Sequence, residues 1–226
     1  MTNNIVITGA NRGIGFAMSK IFSQQEHNVY ALCRNSSEML KTLASQKANV
    51  RVVTDVDVAT DKGIAAMTSA LKGITINILV CNAGILRDEQ LGNIDIKTVR
   101  EQFEVNAIAP LRVVDELYQQ FTNGSKVAMI TSRMGSVSDN GSGGRYGYRM
   151  SKAALNAASM SLSKDLASQN VAVGIFHPGY VQTDMVNHGG DISADESAGK
   201  LVNLINDLTM QESGVFKHSN GKILPW

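Results

Sequence analysis

The 226-residue chain has little of what would mark several function classes. Cysteine occurs only as Cys33 and Cys81, with no CxxC and no zinc spacing, so neither a disulfide framework nor a thiolate metal site is indicated. Both stand in apolar runs, which predicts buried free thiols and a reducing, cytoplasmic setting. Neither charge is in excess: 21 basic against 20 acidic residues leave +1, too weak a field for nucleic acid or an anionic membrane surface. Met-Thr-Asn-Asn leads straight into Ile5-Val-Ile7 without a basic n-region or a long apolar segment, so neither a secretory leader nor a membrane span is expected. The four histidines (His27, His177, His188, His218) have no ligand spacing, and no metal site is expected. What is present, 43% hydrophobic and 18% charged residues, describes an ordinary globular protein. Its length predicts one domain over residues 1–226.

The order of local patterns predicts an α/β fold. Ile5-Val-Ile7 reads as a buried strand that gives way at Thr8 to a turn holding Gly9, Gly13 and Gly15, followed by the amphipathic run from Phe16 to Phe22. Strand, glycine turn and helix N-terminus together make an anion site, because free N–H groups and the helix dipole face one point. The spacing is G-x3-G-x-G, not the usual G-x-G-x-x-G, and a purely structural turn would also hold three glycines. Further strands are expected at Val29–Leu32, Val50–Val58, Ile74–Val80, Lys126–Thr131, Val171–Phe176 and around Val215-Phe216 with Ile223. Helices are expected at 36–46, capped by Ser36 or Ser37, and at 60–71, 98–121, 146–168 and 195–208. The alternation implies a doubly wound parallel sheet with helices on both faces. Within the helix at 98–121, Pro110 cannot donate to the Asn106 carbonyl, which predicts either a kink or an oxygen free to hold a water.

At the end of the second strand, where a carboxylate would grip the ribose of NAD, the chain has Cys33-Arg34-Asn35, and the first acid is Glu38. Arg34, with Arg12 in the glycine turn, matches a 2′-phosphate and favours NADPH; two solvated surface arginines are the alternative. Asp55 or Asp57 would meet the adenine, and the reading leans to Asp57 with Val58. Asn82-Ala83-Gly84 falls at the carboxyl end of the fourth strand, in the crevice where open sheets bind ligands. Pro178-Gly179, with Val181 and Thr183, would present backbone groups and a hydroxyl to the carboxamide, and residues 187–194 read as a short mobile lid.

Tyr148 and Lys152 are four residues apart, so on a helix they share a face. A tyrosine with a pKa near ~10 exchanges protons poorly at neutral pH, and a neighbouring cation would lower it. Tyr146 has Met150 four positions on, so the choice of Tyr148 is unforced. Ser132, at the carboxyl end of the fifth strand, could hydrogen-bond a substrate carbonyl.

Together, Thr8-Gly-Ala-Asn-Arg-Gly-Ile-Gly15, Asn82-Ala-Gly84, Asn106, Ser132, Tyr148-x3-Lys152 and Pro178-Gly179 give the chain a close resemblance to the short-chain dehydrogenase/reductase family over nearly its whole length. Ile130-Thr-Ser-Arg-Met-Gly-Ser136, Asp139-Asn140, the stretch from Tyr146 to Asn156 and the Pro225-Trp226 end look like its C-factor-like and sniffer-type carbonyl reductase branch. The resemblance implies a seven-stranded Rossmann sheet and NADP(H) as cofactor, gripped along Gly9, Asn11, Arg12, Gly13, Ile14, Gly15 and the residues above. It implies a tetrad in which Tyr148 gives a proton to a carbonyl oxygen held by Ser132, Lys152 lowers the tyrosine pKa and bonds the ribose, and Asn106 anchors a water. The implied substrate is a small aldehyde, ketone or quinone-like carbonyl. A cofactor-binding signalling protein is the alternative. The short segment after Thr183 suggests an open pocket. Small residues Ala153, Ala154, Ala157 and Ala158 on an apolar helix suggest a homodimer or homotetramer.

Overall fold

The computed structural model describes residues 2–226. Seven parallel strands, β1 (Asn4–Thr8), β2 (Asn28–Leu32), β3 (Val50–Val53), β4 (Ile76–Cys81), β5 (Phe121–Ile130), β6 (Ala172–His177) and β7 (Phe216–His218), lie in the order β3-β2-β1-β4-β5-β6-β7. The inner strands are apolar on both faces because both are covered. One face packs Val6, Leu32, Leu79, Val127 and Val173 with Met67, Val113 and Leu155 of the helices. The other packs Ile5, Ile7, Val80 and Ile130 with Met18, Phe22, Leu201 and Ile205. The expected doubly wound sheet is the one found.

Helices α1 (Gly13–Gln24), α2 (Glu38–Gln46), α3 (Asp61–Ala70), α4 (Ile96–Phe103), α5 (Ala109–Leu117), α6 (Tyr146–Asp165) and α7 (Ala194–Asp207) fill the crossovers. Ser37, Thr60, Asp95 and Ser193 cap α2, α3, α4 and α7 by accepting from backbone N–H groups. α1 differs, for Arg12 at its N-cap makes no side-chain cap and no acid stands in its first turn. Its free N–H groups point out of the carboxyl edge of the sheet.

Three boundaries differ from the sequence reading. The third strand stops at Val53, because Asp55 takes a left-handed conformation (φ 63°) that ends pairing. The single helix expected over 98–121 is instead α4, a π-turn at Glu104–Ile108, α5 and a 3-10 turn at Tyr118–Gln120, with β5 starting already at Phe121. Pro110 is the cause: it offers no N–H, the ladder slips, and Ala109 donates to Glu104, five residues back. Residues 187–193 do not form a free lid. Left-handed Asn187 and His188 reverse the chain, and Asp191 N–H donates to Tyr180 O (2.7 Å) while Gln182 N–H donates to Ile192 O (2.9 Å).

The strand order reverses between β1 and β4, and a ligand crevice opens at such a point. Thr8 and Asn82 close its floor. Thr8 Oγ1 accepts from the N–H groups of Asn82 (3.0 Å) and Ala83 (3.1 Å), while Asn82 Nδ2 donates to Thr8 O (3.1 Å) and Gly9 O (3.2 Å). Replacing Asn82 with Ala strands those carbonyls and is expected to cost roughly 1–3 kcal/mol. In thermal unfolding that is a fall of about 2–4 °C per kcal/mol, and an unchanged midpoint would show that the stitch contributes nothing.

Candidate active site

The glycine turn is shaped by close approach. A Cβ on Gly15 would lie 2.4 Å from Gly9 O and 2.5 Å from Asn82 Nδ2, so no larger residue fits while the stitch holds. Together with the uncapped start of α1, this is a cradle for a phosphate. Asn11 O is held by Ser37 Oγ (2.6 Å), and the Thr183 methyl faces Gly13 across the crevice. Ile14, Pro178, Gly179, Val181 and Thr183 continue the same wall. Pro178 O accepts from Ser197 (2.7 Å) and Ser219 (3.0 Å), which fixes that turn on α7 and on the segment after β7.

The two arginines expected to grip one phosphate are engaged separately. Arg34 stays at the end of β2, exposed, with Asp57 at 4.0 Å. Arg12 turns to Asp184, Nη1 to Oδ2 2.7 Å, because the turn after β6 brings that carboxylate over the glycine loop. Asp184 also meets His188 (3.1 Å). Asp57 Oδ1 accepts from Ala59 N–H (3.1 Å) beside buried Val58, while Asp55 is turned to Thr54 (3.0 Å).

Ser132, Tyr148 and Lys152 converge. All three are buried, and Ser132 and Tyr148 line a cavity of about 240 Å³ with Leu86, Met134, His177, Tyr180, Met185 and Val186. Ser132 leaves β5 in extended conformation and accepts from Met134 N–H (3.1 Å), which fixes its hydroxyl at the cavity wall. Lys152 Nζ lies 5.9 Å from the Tyr148 ring centre and donates to Ile130 O (3.0 Å). Gly84 adjoins both Lys152 Nζ and Asn106 Oδ1. Burial pushes Lys152 down from 10.5 to about 8.

The lowered Tyr148 pKa expected from the sequence is not found. Burial raises it, outweighing the opposing effects of a Ser132 hydrogen bond and the Arg145 charge. Tyr148 is a phenol throughout the neutral range, set to give a proton.

Asn106, fully buried in the π-turn, donates to Ile85 O (2.8 Å) and Ser151 Oγ (3.1 Å) and accepts from Ile85 N–H (2.8 Å). Its side chain ties the segment after β4 to α6.

Glu89 escaped the sequence reading. Helix α6 has no cap of its own, since Arg145 precedes it without a side-chain cap and its first turn holds no acid. Glu89 supplies both from 58 residues upstream: Oε2 accepts from Gly147 N–H (3.1 Å), Oε1 from Thr98 Oγ1 (3.0 Å) and Gln102 Nε2, and its backbone O from Arg145 N–H (2.8 Å). A Cβ on Gly147 would sit 2.9 Å from Glu89 Oε1, so the glycine makes room for this cap. His177 was also missed as a lining residue. It is buried against His218 (4.9 Å between rings), and burial first, then the charges of His218 and Arg133, push it down to about 3, so it stays neutral.

A model of the short chain dehydrogenase family matches residues 3–191. The chain is 33% identical to 1-hydroxy-2-glutathionyl-2-methyl-3-butene dehydrogenase of Rhodococcus sp. (strain AD45), over 99% of this chain and 100% of that protein. It is 38% identical to C-signal of Myxococcus xanthus over 67% of this chain and 93% of that protein. NADPH-bound carbonyl reductase from chicken fatty liver superposes with a TM-score of 0.90 at 29% identity, over 100% of this chain and 99% of that one. Carbonyl reductase Sniffer of D. melanogaster superposes at 0.88 and 28% identity, over 100% of both chains.

Two outcomes follow from the charges. The Lys152 shift from 10.5 to about 8 sets about 3 kcal/mol against its charged form in the fold. Below pH 8 both folded and unfolded chains carry the charge and the cost is full; between about 8 and 10.5 the unfolded chain binds more protons, and the cost fades as pH rises. Lys152→Met is thus expected to unfold at a higher temperature than the wild type at pH 7, with the gap closing toward pH 10. A lower midpoint at pH 7 would contradict the reading. Glu89→Ala leaves Gly147 N–H and the Gln102 amide without their acceptor and is expected to destabilise by roughly 1–3 kcal/mol, read by urea unfolding.

Proposed function

Because the chain belongs to the short chain dehydrogenase family, a family of oxidoreductases, we propose that it is an NADPH-dependent reductase of small aldehydes, ketones or quinone-like carbonyls. The observation that carries this reading is that Ser132 and Tyr148 line one small cavity beside the β1/β4 crevice, with the buried Lys152 ammonium 5.9 Å from the Tyr148 ring. Support for the cofactor comes from Arg34 at the end of β2 and from the NADPH-bound chicken reductase. Gly9, Asn11, Gly13, Ile14 and Gly15 would hold the pyrophosphate, Arg34 the 2′-phosphate, Asp57 and Val58 the adenine. Asn82, Ala83, Gly84, Pro178, Gly179, Val181 and Thr183 would flank the nicotinamide half. The bound cofactor supplies the hydride.

The protein groups do the rest. Ser132 Oγ holds the carbonyl oxygen, and Tyr148 Oη gives it a proton as negative charge develops there. The phenolate left behind is stabilised by the Ser132 hydroxyl, by the Lys152 ammonium and by the nearby Arg145 charge. Asn106 acts by holding the segment after β4 against α6, which keeps Gly84 and Lys152 adjacent.

The apolar residues Ile108, Leu111, Tyr118 and Met150 stand 38–51% exposed on and beside α5 and α6, which supports a homodimer or homotetramer packed through these helices. Among the described residues no helix is long and apolar enough to cross a membrane. The likeness to C-signal supports a second reading, a cofactor-binding signalling protein in which turnover is secondary. Under that reading a Tyr148→Phe protein keeps its cellular effect.

With NADPH and simple aldehydes, diketones and quinones, nicotinamide absorbance should fall, and Tyr148→Phe should slow turnover by about 10²–10⁴-fold. Arg34→Ala should lower the preference for NADPH over NADH by at least about tenfold. A wild type that prefers NADH would overturn the cofactor assignment.

A further inference from the structure

Arg145 is placed where an arginine has reason not to be. Its backbone is left-handed (φ 51°, ψ 45°), a conformation that glycine or asparagine adopts with less strain, and the two residues before it, Gly143 and Gly144, use positive φ as well. Strain of this kind persists where the side chain has work at a ligand site. The side chain lines the cavity beside Tyr148, its Nε bound to Asp88 (2.6 Å) and its Nη1 resting 3.9 Å from Met134 Sδ. An exposed pair such as Arg145–Asp88 contributes too little to explain the strained arginine.

The cavity lining carries a second guanidinium. Arg133, which also lines the cavity, is held from outside by Asp139 through Nε (2.9 Å) and Nη2 (2.7 Å). Arg149 lies close by, its Nη1 on Met134 O (3.5 Å) and Nη2 on Ser142 Oγ (2.8 Å), with no carboxylate in ion-pair reach among the described residues. Arg133 and Arg145 thus line the cavity, each paired with one carboxylate, while Arg149 stands beside Met134 outside the lining. Two further acids are engaged elsewhere: Glu89 is buried and turned to the start of α6, and Asp184, between the lining residues Thr183 and Met185, pairs with Arg12 and His188. The charges of Arg145 and Arg133 are felt inside, the first at Tyr148 and the second at His177. Between them the wall is apolar, formed by Leu86, Met134, Met185 and Val186.

We propose that this cavity selects carbonyl substrates bearing a carboxylate, which Arg145, with Arg133 in the same lining, binds while the apolar wall takes the carbon skeleton. The inference rests on the reductase reading and names its substrate class. A carboxylate on a guanidinium fork forms charge-assisted hydrogen bonds that a methyl ester of the same shape lacks.

The test compares 4-formylbenzoate with its methyl ester in wild type, Arg145→Gly and Arg145→Lys. Glycine relieves the backbone strain at this position, so the variant retains the fold while losing the fork. In the wild type, kcat/KM is expected to favour the carboxylate by at least about tenfold. That ratio should fall to near one in Arg145→Gly and recover in part in Arg145→Lys, which restores charge without the fork. A wild-type ratio near one, or a parallel loss for both aldehydes in Arg145→Gly, overturns the proposal. Calorimetric binding of 4-methylbenzoate against its methyl ester gives a second readout that needs no turnover. Tighter binding of the acid that vanishes in Arg145→Gly upholds the anion site even if neither aldehyde is reduced, an outcome that would sink the reductase reading alone. Equal binding of acid and ester, with no turnover, sinks both.

Discussion

A lysine ammonium taken almost wholly out of water is the constraint around which the cleft is built. Lys152 is 4% exposed and its charged form is disfavoured by burial. Such a group is tolerated only where its surroundings leave it a partner, and here the partner is a backbone oxygen, Ile130 O, at the end of a central strand. The same burial that disfavours the ammonium keeps the Tyr148 phenol protonated beside a positive charge.

Holding that arrangement falls to helix α6, whose register decides where both side chains point. Its first turn is fixed by Glu89, one flank by Asn106 through Ser151, and the side facing the sheet by Thr131, which donates to Asn156 Oδ1 at 2.7 Å. None of these three contacts is local. Two of them tie the helix to the crossover after β4 and the third to the end of β5, so Tyr148 and Lys152 are placed by these segments and not by α6 itself. The π-turn belongs to the same system. By slipping the ladder ahead of Pro110 it turns Asn106 inward to meet both Ile85 and Ser151.

Electrostatics divides the cleft into two zones. The crevice at the β1/β4 reversal offers an uncapped helix N-terminus and Arg34, suited to phosphates. The neighbouring cavity is lined by Arg133 and Arg145, paired with Asp139 and Asp88, with Arg149 beside Met134. A net charge of only +1 over the chain conceals this local clustering of guanidinium groups. Charge that is averaged over a sequence says little about the field inside a low-dielectric cleft.

The alternation of apolar strands and amphipathic helices determined the doubly wound sheet, and the ordered motifs determined which residues stand at its carboxyl edge. The positions of Ser132, Tyr148, Lys152, Gly9, Gly15, Asn82 and Pro178 are legible because each is set by a local rule: a turn, a helical interval or a strand end. Tertiary structure alone decided the charge state of Tyr148, the capture of Arg12 by Asp184, the trans cap from Glu89 and the strained Arg145 at the cavity mouth. Periodicity and propensity describe neighbours along the chain. Desolvation and ion pairing depend on groups that meet only after folding, from segments such as 88–89 and 145–147 that no local pattern connects.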